Sequence, residues 1–124
     1  MYDYNRLKFY QRADVLGNRI CDLTMGFPKY EIYALGDQMR RACDSVVLNI
    51  AEGGSKKTVN DMVSYLRHAL GSVDEVQAQI AKVVSRGYIK REEGEEILKE
   101  LKEIARMING FIRKLKEKDE KIES

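Results

Sequence analysis

The sequence has one proline and no tryptophan in 124 residues. An interior proline costs a helix about 3 kcal/mol, so its scarcity leaves room for long uninterrupted helices. No stretch approaches the ~20 apolar residues that a membrane-spanning helix needs. The opening Met1-Tyr2-Asp3-Tyr4 is polar and lacks the apolar stretch of a secretion signal. Charge of one sign is missing as well, since 22 basic residues against 20 acidic ones leave a formal net charge of +2. Bulk charge does not hold such a chain on nucleic acid, so any such role needs a local basic patch. Cysteine is limited to Cys21 and Cys43, which lack metal-ligand spacing. Free, partly buried thiols in a reducing cytosol are the expectation, with a disulfide between neighbouring helices left open.

What is there points to helices. The composition is 44% hydrophobic and 34% charged; the charged share exceeds the roughly 25% usual in soluble domains, as long helices with solvated outer faces require. The length fits one domain over 1–124. Four segments repeat apolar residues at alternating spacings of four and three. They are Phe9, Ala13, Leu16, Ile20, Leu23; then Leu35, Met39, Ala42, Val46 with Ile50 and Gly53; then Met62, Leu66, Ala69, Val73, Val76, Ile80, Val83; and last Ile97, Leu101, Ile104, Ile108, Phe111, Leu115. Such seams are what nearly antiparallel bundle helices bury against one another.

The punctuation agrees. Gly26-Phe27-Pro28 is expected to end the first helix, with Gly26 as a left-handed cap, and Gly53-Gly54-Ser55 to end the second. Thr58 with Asp61 makes a start resembling a capping box for the third, and Gly87 stops it. Helices are predicted over about 5–25, 31–52, 58–86 and 91–116, with 117–124 a frayed tail. Short connections make consecutive helices antiparallel neighbours, so the predicted fold is all-α, an up-down-up-down four-helix bundle. A second apolar row, Val59, Val63, Leu70 and Val84 with Val47, exceeds the needs of the core. Part of it is expected at the surface as a self-association face.

No catalytic constellation emerges. A di-metal centre in a bundle needs two Glu-x-x-His pairs and two more inward carboxylates. The single histidine, His68, sits beside its stripe, and the carboxylates read as outside the stripes. The five methionines read as core filler rather than haem ligands. Ser45, Ser64, Ser72 and the cysteines have no evident general base. The expectation is therefore no enzyme, no metal and no cofactor. The turn Gly53-Gly54-Ser55-Lys56-Lys57-Thr58 has the chemistry of a phosphate site, with glycines, two lysines and a helix N-terminus. An ordinary helix end with solvated lysines remains the alternative. Gln38, Arg40, Arg41, Ser45, Asn49 and Glu52 make the second helix unusually polar. Ser45 and Asn49 are expected to bond each other or the facing helix, with Gly71-Ser72 as the other half. Asp37–Arg41 and Arg40–Asp44 are spaced as i,i+4 pairs.

The run Gln38-Met39-Arg40-Arg41-Ala42, continued by Ser45-Val46-Val47-Leu48-Asn49-Ile50-Ala51-Glu52-Gly53, resembles the signature of four-helix bundle proteins related to the 23S rRNA intervening sequence protein. Phe27-Pro28-Lys29 with the neighbouring Glu31, Leu66 through Ala69-Leu70-Gly71-Ser72 with Glu75, and Tyr10-Gln11-Arg12-Ala13 match at the expected spacing. The resemblance implies a small bacterial bundle. It is similar to the accessory variability determinant of diversity-generating retroelements, which forms a homopentamer and binds nucleic acid and a reverse transcriptase. By that resemblance Arg40, Arg41 and Arg67 belong to a basic or partner-binding surface, to which the phosphate-site reading adds Lys56 and Lys57. Ser45, Asn49, Glu52, Gly53, Gly71 and Ser72 serve helix packing. The expected function is a non-enzymatic, oligomeric, cytoplasmic adaptor touching RNA or DNA; a purely protein-binding scaffold is the alternative.

Overall fold

The structure, a computed structural model, describes residues 2–123. A 3-10 turn at Tyr4–Arg6 leads into α1 (Lys8–Thr24), a single turn α2 (Lys29–Ile32), α3 (Leu35–Gly54), α4 (Val59–Ser85) and α5 (Arg91–Glu123). The four long helices form the expected bundle, and no strand occurs among the described residues. α3 packs against α1 and α4, α4 against α5, and α5 closes back on α1. No helix among the described residues is long and apolar enough to cross a membrane.

The predicted stripes are the core. Phe9, Ala13, Leu16 and Ile20 of α1 are buried, as are Leu35, Met39, Ala42, Val46 and Ile50 of α3. The whole α4 stripe from Met62 to Val83 is buried, with Ile97, Leu101, Ile104, Ile108 and Leu115 of α5. Each fully buried aliphatic side chain of this kind contributes about 1.5–3 kcal/mol. Two stripes shift by one position. Thr24 rather than Leu23 is buried, and Ile112 rather than Phe111. A straight helix drifts ~20° per heptad from a strict 3.5-residue repeat, so after two heptads the neighbouring position faces the core. Thr24 keeps its hydroxyl satisfied by donating to the Cys21 carbonyl at 2.7 Å.

Several local expectations are corrected. Gly26 is not left-handed, since Gly87 (φ 75°) is the only positive-φ glycine among the described residues. α1 instead ends in i→i+3 bonds, Met25 N–H to Asp22 O, Gly26 N–H to Leu23 O and Phe27 N–H to Thr24 O, before Pro28 stops it. The second predicted helix is split, because α2 ends near Tyr33-Ala34 and α3 starts afresh at Leu35. α5 runs on through residues 117–123, where a frayed tail was expected, because its Lys and Glu are strong helix formers; residue 124 lies outside the described residues. The second apolar row is not a surface patch: Val63 is buried, and Val59, Leu70, Val84 and Val47 pack against the core. α4 lies between α3 and α5, so two of its flanks are covered.

One carboxylate also departs from expectation. Glu31 is buried at the α2 end of the bundle, where its Oε2 accepts from Arg86 Nη1 at 2.8 Å and from the Tyr88 hydroxyl at 2.9 Å. This fastens α2 to the turn between α4 and α5. Along the α1/α5 seam, ion pairs bridge the two helices: Arg12 is bidentate on Glu100, and Arg19 reaches Glu96 at 2.9 Å and Glu93 at 3.4 Å. They border a groove of about 710 Å³ above Val15 and Leu16. Partly exposed pairs like these contribute about 0–1 kcal/mol each.

Two glycines respond oppositely to alanine. A Cβ at Gly17 would meet Cys43 Cβ at 3.5 Å, an ordinary contact beside a small void in the core. Gly17→Ala should therefore raise stability by about 0.5–1 kcal/mol through helix propensity and lower unfolded-state entropy. A Cβ at Gly94 would lie 2.3 Å from Val84 Cγ2. Val84 is β-branched and cannot swing away freely, so Gly94→Ala should lower the melting temperature despite its better propensity. Thermal melts of the two variants test the pair.

Both cysteines are free thiols, Cys43 buried and Cys21 half-buried. Burial, with smaller contributions from Cys21 and Asp44, pushes the Cys43 thiol up to about 12. Its folded-state pKa lies above the unfolded value, so its stabilisation is present below the unfolded pKa and is lost as pH rises through about 12. Stability should fall in that alkaline window, and Cys43→Ala should flatten the fall in pH-dependent urea unfolding.

Candidate functional site: the polar face shared by α3 and α4

The polar residues that the sequence spreads over two helices meet along the outer seam of α3 and α4. Thr58 caps α4 by accepting from Asp61 N–H at 3.2 Å, which sets the start of the helix. At Gly53 the two helices close up: a Cβ there would press on Tyr65 Cβ at 3.2 Å and the Met62 carbonyl at 3.3 Å. Gly54 gives the same clearance to the N-terminal segment, and its carbonyl accepts from Tyr2 N–H at 2.8 Å. Both glycines sit in the last turn of α3 and act through size.

Two turns further in along α3, Ser45 Oγ lies 2.8 Å from Ser72 Oγ across the seam. Asn49 Nδ2 donates to the Ser45 carbonyl at 2.8 Å and to Ser45 Oγ at 3.1 Å. This leaves the Asn49 side-chain oxygen free to accept. The network floors a groove of about 470 Å³ lined by Ser45, Asn49, Arg67, His68, Gly71, Ser72 and Glu75. Gly71 does not bring the helices together as expected, since a Cβ there would meet nothing within 4 Å. It keeps the groove open. Arg67 is exposed and has no ion-pair partner among the described residues.

The other predicted binding residues separate into two groups. Arg41 is 80% exposed, one turn from Ser45, and pairs only with Asp37 at 3.1 Å. Lys57 is exposed beside a second cavity of about 510 Å³ shared by the start of α4 and Lys118 and Asp119 of α5. Lys56 is occupied: its Nζ lies 3.3 Å from Glu52 Oε1 and 5.0 Å from the Tyr65 ring centre. Arg40 turns inward. Its Nη1 donates to Thr24 Oγ1 at 2.7 Å and its Nη2 to the Ile32 carbonyl at 2.9 Å, with Asp37 at 3.8 Å in place of Asp44. Arg40 is a structural clamp on α2, not a surface cation.

Sequence reasoning passed over Tyr65 and gave His68 and Glu75 no binding role. Tyr65 meets His68 edge to face at 6.2 Å and carries the lip of the groove toward Lys56. The signal was present, because Tyr65, His68, Ser72 and Glu75 follow the three–four spacing of one α4 face. His68 makes no hydrogen bond to either serine among the described residues, and no cluster of His, Cys, Asp or Glu there could hold a metal ion. The face offers hydroxyl, amide, imidazole and guanidinium groups, which bind oxyanions and sugar hydroxyls.

Comparison with known proteins agrees with this architecture. No curated protein matches the chain. Among solved structures, a protein with unknown function from the S23 ribosomal protein family of Bacteroides thetaiotaomicron is similar, with a TM-score of 0.75 and 22% identity over 85% of this chain and 95% of that one. That likeness is one of fold. The model of the 23S rRNA-intervening sequence protein family matches residues 5–110, and the chain therefore belongs to that family.

Proposed function

We propose that this protein is a non-enzymatic helical-bundle adaptor that self-associates and touches RNA or DNA through the face shared by α3 and α4. The observation that carries this reading is the groove itself: Arg67, without an ion-pair partner among the described residues and with His68 beside it, borders the hydrogen-bonding floor of Ser45, Asn49 and Ser72. Arg41 extends the cationic character along the seam, and Lys57 adds to it from the α3–α4 turn, beside the α4/α5 cavity. Phosphates engaged by a few cations position the nucleic acid without reading its sequence. Glu75 and Glu52 limit the field, in keeping with the net charge of +2. The protein acts in the cytoplasm, where free thiols persist. We extend the reading, on the sequence resemblance to the accessory variability determinant alone, to a homopentamer with a reverse transcriptase as partner.

A purely protein-binding scaffold is the second reading. It is favoured by Val15, 70% exposed above the α1/α5 groove, and by Leu48, 65% exposed on α3. Fluorescence anisotropy of labelled RNA and single-stranded DNA over a salt series separates the two. The three cations of this face, Arg41, Lys57 and Arg67, should contribute about 2 to the magnitude of the log–log slope on a single strand. No binding even at low salt, with association persisting in the ultracentrifuge, selects the scaffold. Monomer at all concentrations removes self-association.

A further inference from the structure

The α2 end of the bundle carries an aromatic surface that neither the core nor the α3/α4 face uses. Tyr30 is 74% exposed, Tyr33 82% and Met25 60%, a concentration of large exposed side chains within residues 25–33. Tyr30 and Tyr33 are three residues apart, which sets both on the outer side of the α2 turn, while Glu31 is buried beneath them. The Tyr30 hydroxyl lies 3.4 Å from that of Tyr88, whose own proton goes to Glu31, so Tyr30 is the donor in that contact. That hydroxyl thus meets Tyr88 at long range while the body of the ring faces solvent.

Basic side chains flank these rings in the chain. Lys29 precedes Tyr30, and Lys90 and Arg91 follow Tyr88 in the turn to which α2 is tied. All three are exposed, and none has an ion-pair partner among the described residues. Of the nearby acids, Glu31 is consumed by Arg86 and Tyr88, and Glu93 by Arg19. Asp22 and Glu92 remain at the rim. Contacts between proteins are depleted in lysine at their centres, whereas aromatic rings among free cations suit single-stranded nucleic acid, whose unpaired bases stack while its phosphates pair. A duplex keeps its base faces inside the stack.

We propose that Tyr30 and Tyr33, with Lys29, Lys90 and Arg91, form a stacking platform for single-stranded RNA or DNA. The proposal rests on the nucleic-acid reading above and names the strand class that it favours. It is tested by anisotropy with a labelled single-stranded oligonucleotide and with the matching duplex. Tyr30→Ala combined with Tyr33→Ala should weaken single-strand binding on the order of 10- to 100-fold. The salt slope and duplex binding should stay unchanged. Tyr30→Phe, which keeps the ring, should bind as wild type does. Lys29→Ala with Lys90→Ala should reduce the magnitude of the slope by about 1.4. Wild-type single-strand affinity in the double tyrosine variant, while Arg41/Lys57/Arg67 variants lose binding, overturns the platform alone. Absence of any nucleic-acid binding by the wild type overturns the functional reading and the platform together. Loss of self-association with unaltered binding would make this surface a contact between copies, which also overturns the proposal. Circular dichroism confirms that each variant is folded.

Discussion

Replacing Ile104 by alanine should lower the stability of the fold by about 2–5 kcal/mol. Ile104 is fully buried in α5 and borders the small core void that also touches Leu16, Ile20, Val46, Val73 and Val76. It therefore stands where all four long helices meet. Truncation removes three carbons from that point and enlarges a void that already exists. The walls cannot collapse freely, because Ile20, Val46, Val73 and Val76 among them are β-branched and stiff at χ1. Urea unfolding followed by circular dichroism reads the loss as a lower midpoint at constant slope. A loss below about 1 kcal/mol would mean that the centre repacks more easily than this geometry allows.

Arg40→Ala should cost about 2–4 kcal/mol, although the residue is polar and lies on a helix that is half solvent-facing. Its guanidinium holds two buried or half-buried acceptors, Thr24 Oγ1 at 2.7 Å and the Ile32 carbonyl at 2.9 Å. Gly36 makes this route open: a Cβ there would stand 3.2 Å from Arg40 Nη1 and 3.2 Å from the Glu31 carbonyl. Removing the side chain leaves the end of α2 without its clamp and the Ile32 carbonyl without its donor. Arg41→Ala, one residue on, should change stability by no more than about 0.5 kcal/mol, because Arg41 is 80% exposed. Thermal or urea unfolding of the two variants side by side checks the contrast. Equal, small effects would return Arg40 to the surface.

This contrast marks where the sequence stops being readable. The helical stripes were legible because burial enforces a period, and Met62 through Val83 all face the core as their spacing requires. The partnership of Ser45, Asn49 and Ser72 was legible for a similar reason, since polar groups beside an apolar face need partners close by. Arg40 was not, because its direction depends on α2, a one-turn helix too short for any periodic signal. Glu31 was hidden for the same reason, and its partners Arg86 and Tyr88 are more than fifty residues away in the chain. The glycines misled in another way. Gly26 looks like a left-handed cap and Gly53-Gly54 like a plain helix end, but Gly53 and Gly54 are kept small by what packs against them, and Gly26 ends up in an i→i+3 turn.

The central claim is that the α3/α4 face meets nucleic acid through Arg67, Arg41 and Lys57, while Arg40 serves the fold. The most direct measurement is the salt dependence of RNA binding by two variants, Arg41→Ala/Lys57→Ala/Arg67→Ala and Arg40→Lys, each confirmed as folded. The triple variant should lose affinity and about 2 of the magnitude of its salt slope, each lost phosphate contact removing about 0.7 on a single strand. Arg40→Lys should bind with wild-type affinity and slope while melting at a lower temperature, because an ammonium cannot span both acceptors as the guanidinium fork does. An unchanged slope in the triple variant, or a slope that falls only with Arg40, would contradict the assignment of this face.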